Sequence, residues 1–382
     1  MNRVEGGEIM LTKDRIKALD LTIGVVGLGY VGLPTALGFH DAGFRVHGLD
    51  ISERIISDLL NGKNPGDDPA FNDVIPTDER WLVTTDAQIA IPRCDVILVT
   101  VPTPVLDDNR PDLQFIEAAG ETIFDQIDRT RRPSVVLEST VYPGVTEEVC
   151  APLIEKYSGF IFNEDFYMGY SPERINPGDK KNTIKNINKL TSGSNKKTAK
   201  FVDNLYKSIV TKAKTYLVSS IKIAEAAKVI ENAQRDINIA FVNELSIIFK
   251  NLGINSSEVF DAAETKWNYL NFRPGLVGGH CIGIDPYYLS FKSEKSGYKP
   301  EIILAGRNIN EQMPRFVAKD LINLSNKIKF NRSSDKILLL GLTFKENCKD
   351  VRNSKVKNIF NLLSKKKFKI DICDPNLTNK DV

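Results

Sequence analysis

The sequence predicts an α/β protein in three parts. These are an N-terminal Rossmann domain, a central domain built on one long helix, and a C-terminal Rossmann-like unit. Three observations predict them. The apolar run Leu21–Val26 leads directly into Gly27-Leu-Gly29-Tyr-Val-Gly32 and, after a helical stretch, into Phe44–Leu49 and Asp50. From Ser219-Ser220 the chain reads as helix without a break to about Lys250, with Gly253 just beyond. A further strand-length run, Lys336-Ile-Leu-Leu-Leu-Gly341, opens a strand–helix–strand unit that reaches Cys373. The expected boundaries are 1–19 for a lead-in, then 20–215, 216–325 and 326–382 for the three domains.

Composition narrows the function. The chain has 382 residues, 42% hydrophobic and 26% charged, with a net charge of +2. That balance fits a globular enzyme and gives no basis for a nucleic-acid or membrane-surface partner. No apolar run approaches the ~18 residues of a membrane span. The charged first twenty residues lack the apolar stretch of a signal peptide. Five cysteines, scattered and never in C-x-x-C spacing, point to a reducing cytoplasm without disulfides or zinc. With only His40, His47 and His280, a histidine-based metal site or triad is not expected. Chemistry must therefore come from Cys, Lys, Asp, Glu, Asn and a cofactor.

In the first domain, strand, glycine turn, helix, strand and acid appear in the order of a dinucleotide site. Gly27 makes the turn, Gly29 lets a pyrophosphate reach the backbone, and Gly32 lets the helix pack on the strand. Asp50 is placed to accept both hydroxyls of an adenosine ribose, which favours NAD over NADP. Arg54 is the counter-argument, since it could meet a 2′-phosphate. Two more apolar strands, Asp95–Thr100 and Ser134–Glu138, end in polar loops bearing Thr103 and Thr140. Ligands of open α/β sheets sit beyond the carboxyl ends of the strands, so both threonines can meet the ribose and nicotinamide end. Ordinary loop capping is the competing explanation. Ser171-Pro-Glu173-Arg174-Ile-Asn176-Pro177-Gly178 reads as a rigid polar loop, and the Lys- and Asn-rich stretch 180–200 as a solvated face.

The long helix carries Ile223, Ala227, Ile230, Ile237, Phe241, Leu245 and Ile248 around its whole circumference. A helix without a polar face is expected to be a buried spine shared by two subunits. Lys228 and Asn232 lie one turn apart among apolar neighbours, where desolvation lowers a lysine pKa. A snorkelling surface lysine is the alternative. Gly275-Leu-Val-Gly-Gly-His-Cys281-Ile-Gly-Ile-Asp285-Pro286 sets one thiol in a glycine-rich loop beside a carboxylate. That suits a nucleophile that substrate can approach, against the alternative of a buried structural cysteine. Adjacent loop side chains point apart, so His280 is not expected to partner the thiol. Helix is expected again from Ile302 to Leu324, kinked or broken at Pro314. Two strands and one helix after Lys336 cannot cover a sheet, so this last unit is expected to be truncated, or completed by elements from elsewhere.

Together these motifs resemble the UDP-glucose/GDP-mannose dehydrogenase family. The resemblance rests on Gly27–Pro34, Val101-Pro-Thr-Pro104, Glu138–Gly144, Lys228-x-x-x-Asn232, Gly278–Asp285 and Gly341–Asn347, all in order. Ser171–Gly178, Phe272–Cys281 and Gly341–Cys348 look like the branch acting on UDP-N-acetylhexosamines, which includes enzymes of Vi-antigen and O-antigen synthesis. The resemblance implies a cytoplasmic homodimer, NAD as cofactor and a C-terminal UDP-binding domain. It implies four-electron oxidation of the sugar C6 alcohol through a cysteine thioester, for surface polysaccharide. The catalytic set it implies is Cys281, Lys228, Asn232, Asp285, Glu173 and Thr140. Lys228 would accept the C6 hydroxyl proton, and Asp285 would orient the thiol loop and Lys228. Thr140 and Glu173 would position water, with Glu173 as base because Pro177 stands where many relatives carry a second glutamate. Tyr30 and Val31 join the cofactor loop. Arg174, Asn176, Arg273, Gly278, Lys345 and Arg352 join Glu173, Lys228 and Asn232 around the substrate. Two other readings remain: a two-electron hydroxyacid-type dehydrogenase, which needs no thiol, and a truncated paralogue that binds NAD without turnover.

Overall fold

Short apolar runs closed by glycine and acid become the strands of one large sheet. The computed structural model describes residues 12–65, 74–128, 130–175, 179, 181–346 and 349–377. Asn176, Pro177 and Cys348 lie outside the described residues. The chain divides into two compact units, Met1–Lys228 and Val229–Val382.

In the first unit the strands are β1 Thr22–Val26, β2 Arg45–Leu49, β3 Trp81–Thr84, β4 Val96–Val99, β5 Ser134–Leu137, β6 Tyr167–Tyr170, β7 Lys189–Gly193 and β8 Thr215–Leu217. The helices are α1 Lys13–Lys17, α2 Gly32–Asp41, α3 Glu53–Leu60, α4 Ala87–Ala90, α5 Gln114–Phe124, α6 Ala151–Ser158 and α7 Lys196–Lys207. A π-helical turn, Thr146–Cys150, runs directly into α6. The sheet order is β3-β2-β1-β4-β5-β6-β7-β8, parallel except where β6 meets β7. Its first six positions have the order of a dinucleotide-binding doubly wound sheet. Strands buried on both faces need continuous apolar runs, and β4 and β5 are buried along their whole length. Ile23, Val25, Val46, Val96 and Leu98 form one core with Phe39 of α2 and Phe201, Leu205 and Tyr206 of α7. Each such aliphatic side chain contributes about 1.5–3 kcal/mol by leaving water.

The stretch expected as a solvated face contains β7 and the start of α7. Lys189 is buried at 1% exposure inside the sheet. Its two carboxylate partners, Glu138 and Glu173, lie just beyond the ends of β5 and β6, and no local composition announces them.

The helix α8, Ile221–Asn251, begins in the first unit and continues in the second. Ser220 Oγ accepts the Ile223 N–H, and Gly253 at φ +71° stands just past the end of the helix, as the sequence predicts. Within the single chain this helix is buried along one side. Its buried stripe carries the polar residues Glu225, Lys228, Asn232, Asp236 and Asn243, while Ile223, Ile230, Phe241 and Ile248 lie exposed on one opposite stripe. The buried polar residues run between apolar ones, among them Ala224, Val229, Ala233, Ala240 and Val242, which are also buried.

The second unit continues with α9 Ser256–Glu264, α10 Asp285–Lys295, α11 Glu301–Lys327, β9 Lys336–Leu340, α12 Lys355–Lys365 and β10 Lys369–Cys373. Helix α11 runs through Pro314 unbroken, with Met313 and Pro314 both buried. Packing holds the helix where proline removes one hydrogen bond. Asp236 of α8 accepts from Arg307 Nη1 (2.6 Å) and Asn310 Nδ2 (2.7 Å) of α11, which fastens the two long helices by a buried ion pair. β9 and β10 are parallel. Ala318, Ile359, Leu363 and Phe368 form a small core, with Ile337 and Ile370 packed against it. The other face of β9 shows Leu338 and Leu340 exposed.

Candidate active site

At the C-terminal edge of β1 the three glycines do three different jobs. Gly27 has φ +90°, so it makes the turn. A Cβ on Gly32 would sit 1.8 Å from the Gly27 carbonyl oxygen, so Gly32 is needed for α2 to pack. A Cβ on Gly29 would meet nothing within 4 Å. Among the described residues nothing requires glycine at 29, and that open backbone beside the start of α2 suits a pyrophosphate. Tyr30 is exposed and Val31 half-buried on the same loop. Asp50 Oδ2 accepts the Leu28 N–H (2.7 Å) and Oδ1 the Ser52 N–H (2.9 Å). The acid therefore holds the glycine turn. Arg54 is exposed and lies 3.8 Å from Asp58 on its own helix. These residues fit a dinucleotide.

Thr103 Oγ1 donates to the Thr140 carbonyl (2.7 Å), which ties the loops after β4 and β5 together. The capping explanation thus accounts for the Thr103 hydroxyl. Thr140 itself is half-buried.

Glu173 is held by its own loop and by a buried cation. Oε1 accepts the Arg174 and Ile175 N–H groups (2.6 and 2.7 Å), and Oε2 accepts from Lys189 Nζ (2.9 Å). Lys189 also reaches Glu138 Oε2 (3.0 Å), and Tyr206 donates to the other Glu138 oxygen. All three charged groups are buried. Burial alone would raise the Glu173 pKa, yet Lys189 and the two backbone donors bring it below the ordinary value. Burial dominates at Glu138 and raises it. A carboxylate committed to a buried cation and two N–H groups is a weakened base. Glu173 is therefore corrected from a base to an anchor of its loop. On that loop Arg174 Nη1 donates to the Asn188 carbonyl (3.0 Å).

Glu225, fully buried on α8, accepts the Gly144 N–H (2.5 Å), the Thr146 N–H (2.9 Å) and the Thr146 hydroxyl (2.7 Å). A carboxylate at this helical N-terminus satisfies donors that the helix leaves open. It also pins α8 one turn before Lys228, which is buried at 8% exposure. The snorkelling alternative does not hold.

In the second unit Asn232 Nδ2 donates to Asp285 Oδ2 (2.6 Å). Asp285 opens α10, and its N–H donates to the Cys281 carbonyl (2.9 Å). The thiol loop is thus tied to the long helix through Asp285. Cys281 is exposed, whereas Cys94 and Cys150 are buried and burial pushes their thiols far up. The structural-cysteine alternative fails for Cys281 and describes Cys94 and Cys150.

Of the glycines before the thiol, Gly275 has open space around it, while Gly278 and Gly279 are packed against another loop. A Cβ on Gly278 would come 2.7 Å from the Asn353 carbonyl oxygen, and one on Gly279 2.7 Å from the Phe344 ring. They make room for the loop after β9. On that loop Asp350 Oδ2 meets His280 Nε2 (2.7 Å) and Arg352 Nη2 (2.6 Å). His280 is thus engaged by the loop after β9. Lys345 is half-buried, its ammonium 5.7 Å from the Phe344 ring centre. Arg273 is drawn back to Asp261 (2.8 Å) and Glu264 (2.5 Å) of α9. Sequence reasoning does not single out Glu138, Lys189, Glu225 or Asp236 as functional. Each is an isolated charge whose partner lies far along the chain.

A doubly wound sheet with a fitted dinucleotide loop, and an exposed thiol on a glycine loop, define a dinucleotide-dependent oxidoreductase with a cysteine at its disposal. Comparison with known proteins gives the family. Residues 21–210 match the NAD binding domain of the UDP-glucose/GDP-mannose dehydrogenase family, 222–312 its central domain and 338–382 its UDP binding domain. The chain belongs to that family. It is 48% identical to a UDP-N-acetyl-D-glucosamine 6-dehydrogenase of Salmonella typhi, over 95% of this chain and 84% of the relative. It is equally similar to the Pseudomonas aeruginosa protein of the same description, with the same coverage of both chains. The solved UDP-D-ManNAc dehydrogenase of Pyrococcus horikoshii superimposes with a TM-score of 0.84 at 32% identity, over 94% of this chain and 84% of that one. The cofactor is NAD.

Proposed function

We propose that this protein oxidises C6 of a UDP-N-acetylhexosamine, UDP-GlcNAc first among them, from alcohol to carboxylate through a covalent bond to Cys281. The observation that carries the reading is the exposed Cys281 on a loop anchored by the Asp285–Asn232 contact (2.6 Å). A two-electron dehydrogenase has no use for such a thiol, and the 48% identity to two UDP-N-acetyl-D-glucosamine 6-dehydrogenases supports the sugar.

Lys228 accepts the C6 hydroxyl proton in the first oxidation. The Cys281 thiolate then adds to the aldehyde carbon, so the aldehyde does not escape. Lys228 and Asn232 donate to the resulting oxyanion, and Asp285 fixes the Asn232 amide for that purpose. The second oxidation leaves a thioester on Cys281, and water releases the carboxylate and restores the thiol. NAD, when bound, takes up one hydride in each oxidation. Thr140 lines the nicotinamide end, and Glu173 with Lys189 holds the Arg174 loop at the substrate. Lys345 and Arg352 serve the nucleotide. The apolar stripe Ile223, Ile230, Phe241 and Ile248 is the surface expected to meet a second copy in a homodimer. A cytoplasmic role in surface polysaccharide synthesis fits this substrate, and the relative CapL of Staphylococcus aureus is 47% identical.

The test is mass spectrometry of the product, with NADH counted per sugar, for UDP-GlcNAc, UDP-GalNAc and UDP-ManNAc. Two NADH per UDP-GlcNAc and a uronic acid are expected. One NADH per sugar, or an accumulating aldehyde, would overturn the reading.

A further inference from the structure

The residues just before Cys281 are gripped by the loop after β9. His280 Nε2 lies 2.7 Å from Asp350 Oδ2. The Phe344 ring stands edge-on to the His280 ring at 5.9 Å, and it occupies the space that a Cβ on Gly279 would fill. The Asn353 carbonyl closes over Gly278, and Asn353 Nδ2 donates to the Gly279 carbonyl (3.3 Å). Asn353 takes φ +54°, a conformation asparagine tolerates, and this turns its peptide toward the thiol loop. The same loop carries Lys345 and Arg352 within the stretch matched to the UDP binding domain. Arg352 is 63% exposed, and it donates to Asp350 through Nε (3.0 Å) and Nη2 (2.6 Å). One carboxylate is thus shared between a cation facing solvent and the histidine beside the nucleophile.

We propose that Asp350 and His280 are positioning residues, a tie through which nucleotide held at Arg352 and Lys345 sets the placement of the Cys281 thiol. The proposal rests on the nucleotide-sugar reading above. A diphosphate competes with Asp350 for the Arg352 guanidinium, because both present oxygens to the same planar donors. Asp350 then interacts more strongly with His280, the next residue to Cys281. Binding energy from the nucleotide, remote from C6, is thereby used to position the reacting group.

The experiment uses the full chain and UDP itself, without sugar. Alkylation of Cys281 by iodoacetamide is followed by peptide-resolved mass spectrometry, with and without saturating UDP, and UDP binding is measured by calorimetry. In the wild type, UDP is expected to change the Cys281 rate by about fivefold or more, the scale of an ordinary coupling. Asp350→Asn, which preserves shape, and His280→Ala, which acts from the other side, should bind UDP yet lose most of that change. His280→Gln retains a donor and should recover part of it. With UDP-GlcNAc and NAD, both disruptive variants should lower kcat more than they raise KM for the sugar nucleotide. If UDP binds the wild type without altering the Cys281 rate, or if the variants respond as the wild type does, the tie is refuted. Absence of UDP binding refutes it as well. Intact coupling with no NADH from any UDP-sugar would instead sink the proposed reaction and leave the tie standing.

Discussion

At the end of β2, Asp50 accepts the Leu28 N–H at 2.7 Å and the Ser52 N–H at 2.9 Å. At the end of β10, Asp374 accepts the Leu342 N–H at 2.7 Å, the Thr343 N–H at 3.0 Å and the Asn376 N–H at 2.9 Å. In both places the leucine comes directly after a glycine in the left-handed region, Gly27 at φ +90° and Gly341 at φ +85°. The chain therefore builds one turn twice, with an acid of the next strand closing each. The two copies diverge beyond the turn. After Gly27 the helix begins at Gly32, and Gly29 leaves its backbone open. After Gly341 the chain runs through a polar loop until α12 begins at Lys355, capped by Ser354. The acid-closed turn is thus a device of the fold. The open glycine and the immediate helix make a pyrophosphate site of the first copy, and the second copy uses its loop to hold the thiol segment.

The sharpest way to separate the two copies is Cys281→Ser. It alters the second unit alone and supplies a hydroxyl that is not ionised at neutral pH. Steady-state NADH production should fall by roughly three orders of magnitude or more, while NAD titrates as in the wild type. Turnover near the wild-type rate at two NADH per sugar would remove the covalent mechanism. His280→Ala, which removes neither the thiol nor the proton acceptor, should retain much more activity than Lys228→Ala.

If Asp50 reads a ribose while Asp374 only closes its turn, the first copy alone should discriminate between cofactors. A 2′-phosphate brought to Asp50 meets a carboxylate, so kcat/KM for NAD should exceed that for NADP by on the order of a hundredfold. Asp374→Asn should leave that ratio unchanged. A preference for NADP, with Arg54 outweighing Asp50, would break this side of the comparison.

The glycines sharpen it further. Gly29→Ala should weaken NAD binding roughly tenfold with little change in melting temperature, because its Cβ meets no protein atom. Gly32→Ala should destabilise the protein by about 3 kcal/mol or more, since its Cβ overlaps the Gly27 carbonyl. Gly341→Ala should cost about 1 kcal/mol through its positive φ and leave NAD binding alone. Calorimetric melting and NAD titration on the same three variants test all of this together.

How much of the molecule is legible in its sequence depends on where each partner lies in the chain. The strands of the first sheet can be read because burial on both faces demands unbroken apolar runs such as Val96–Val99. Gly27, Gly29, Gly32 and Asp50 can be read because the whole site lies within about thirty residues of sequence. Cys281 stands out because glycines and a carboxylate surround it locally. Lys189 cannot be read. Its stretch is rich in lysine, and its two glutamates lie 51 and 16 residues away. Glu173 misleads for the same reason, since a base and an anchor look alike until the partner is seen. The exposed α8 stripe cannot be read because counting apolar residues around a helix does not tell which side the rest of the chain covers.

The smallest expected effect concerns Asp350, where the second copy holds the thiol loop. Burial alone would raise its pKa, but His280, the Arg352 side chain and the Arg352 N–H outweigh burial and hold it well below the ordinary value. A carboxyl group whose folded pKa is depressed stabilises the fold above its unfolded pKa of about 3.9 and loses that contribution as pH falls below it. Asp350→Asn keeps the shape but carries no charge to lose. At pH 6 the variant should melt about 2 °C below the wild type, as roughly 1 kcal/mol implies for a chain of this size. Between pH 5 and pH 2 the difference should shrink, with most of the change below pH 4, because the folded wild type gives up its carboxylate only as the pH nears the depressed folded pKa while the variant has none to lose. The measurement is the difference in melting temperature between the two proteins across that range. A difference that stays constant, or grows, as the solution is acidified would mean that the Asp350 charge does not bind His280 and Arg352 in the folded protein.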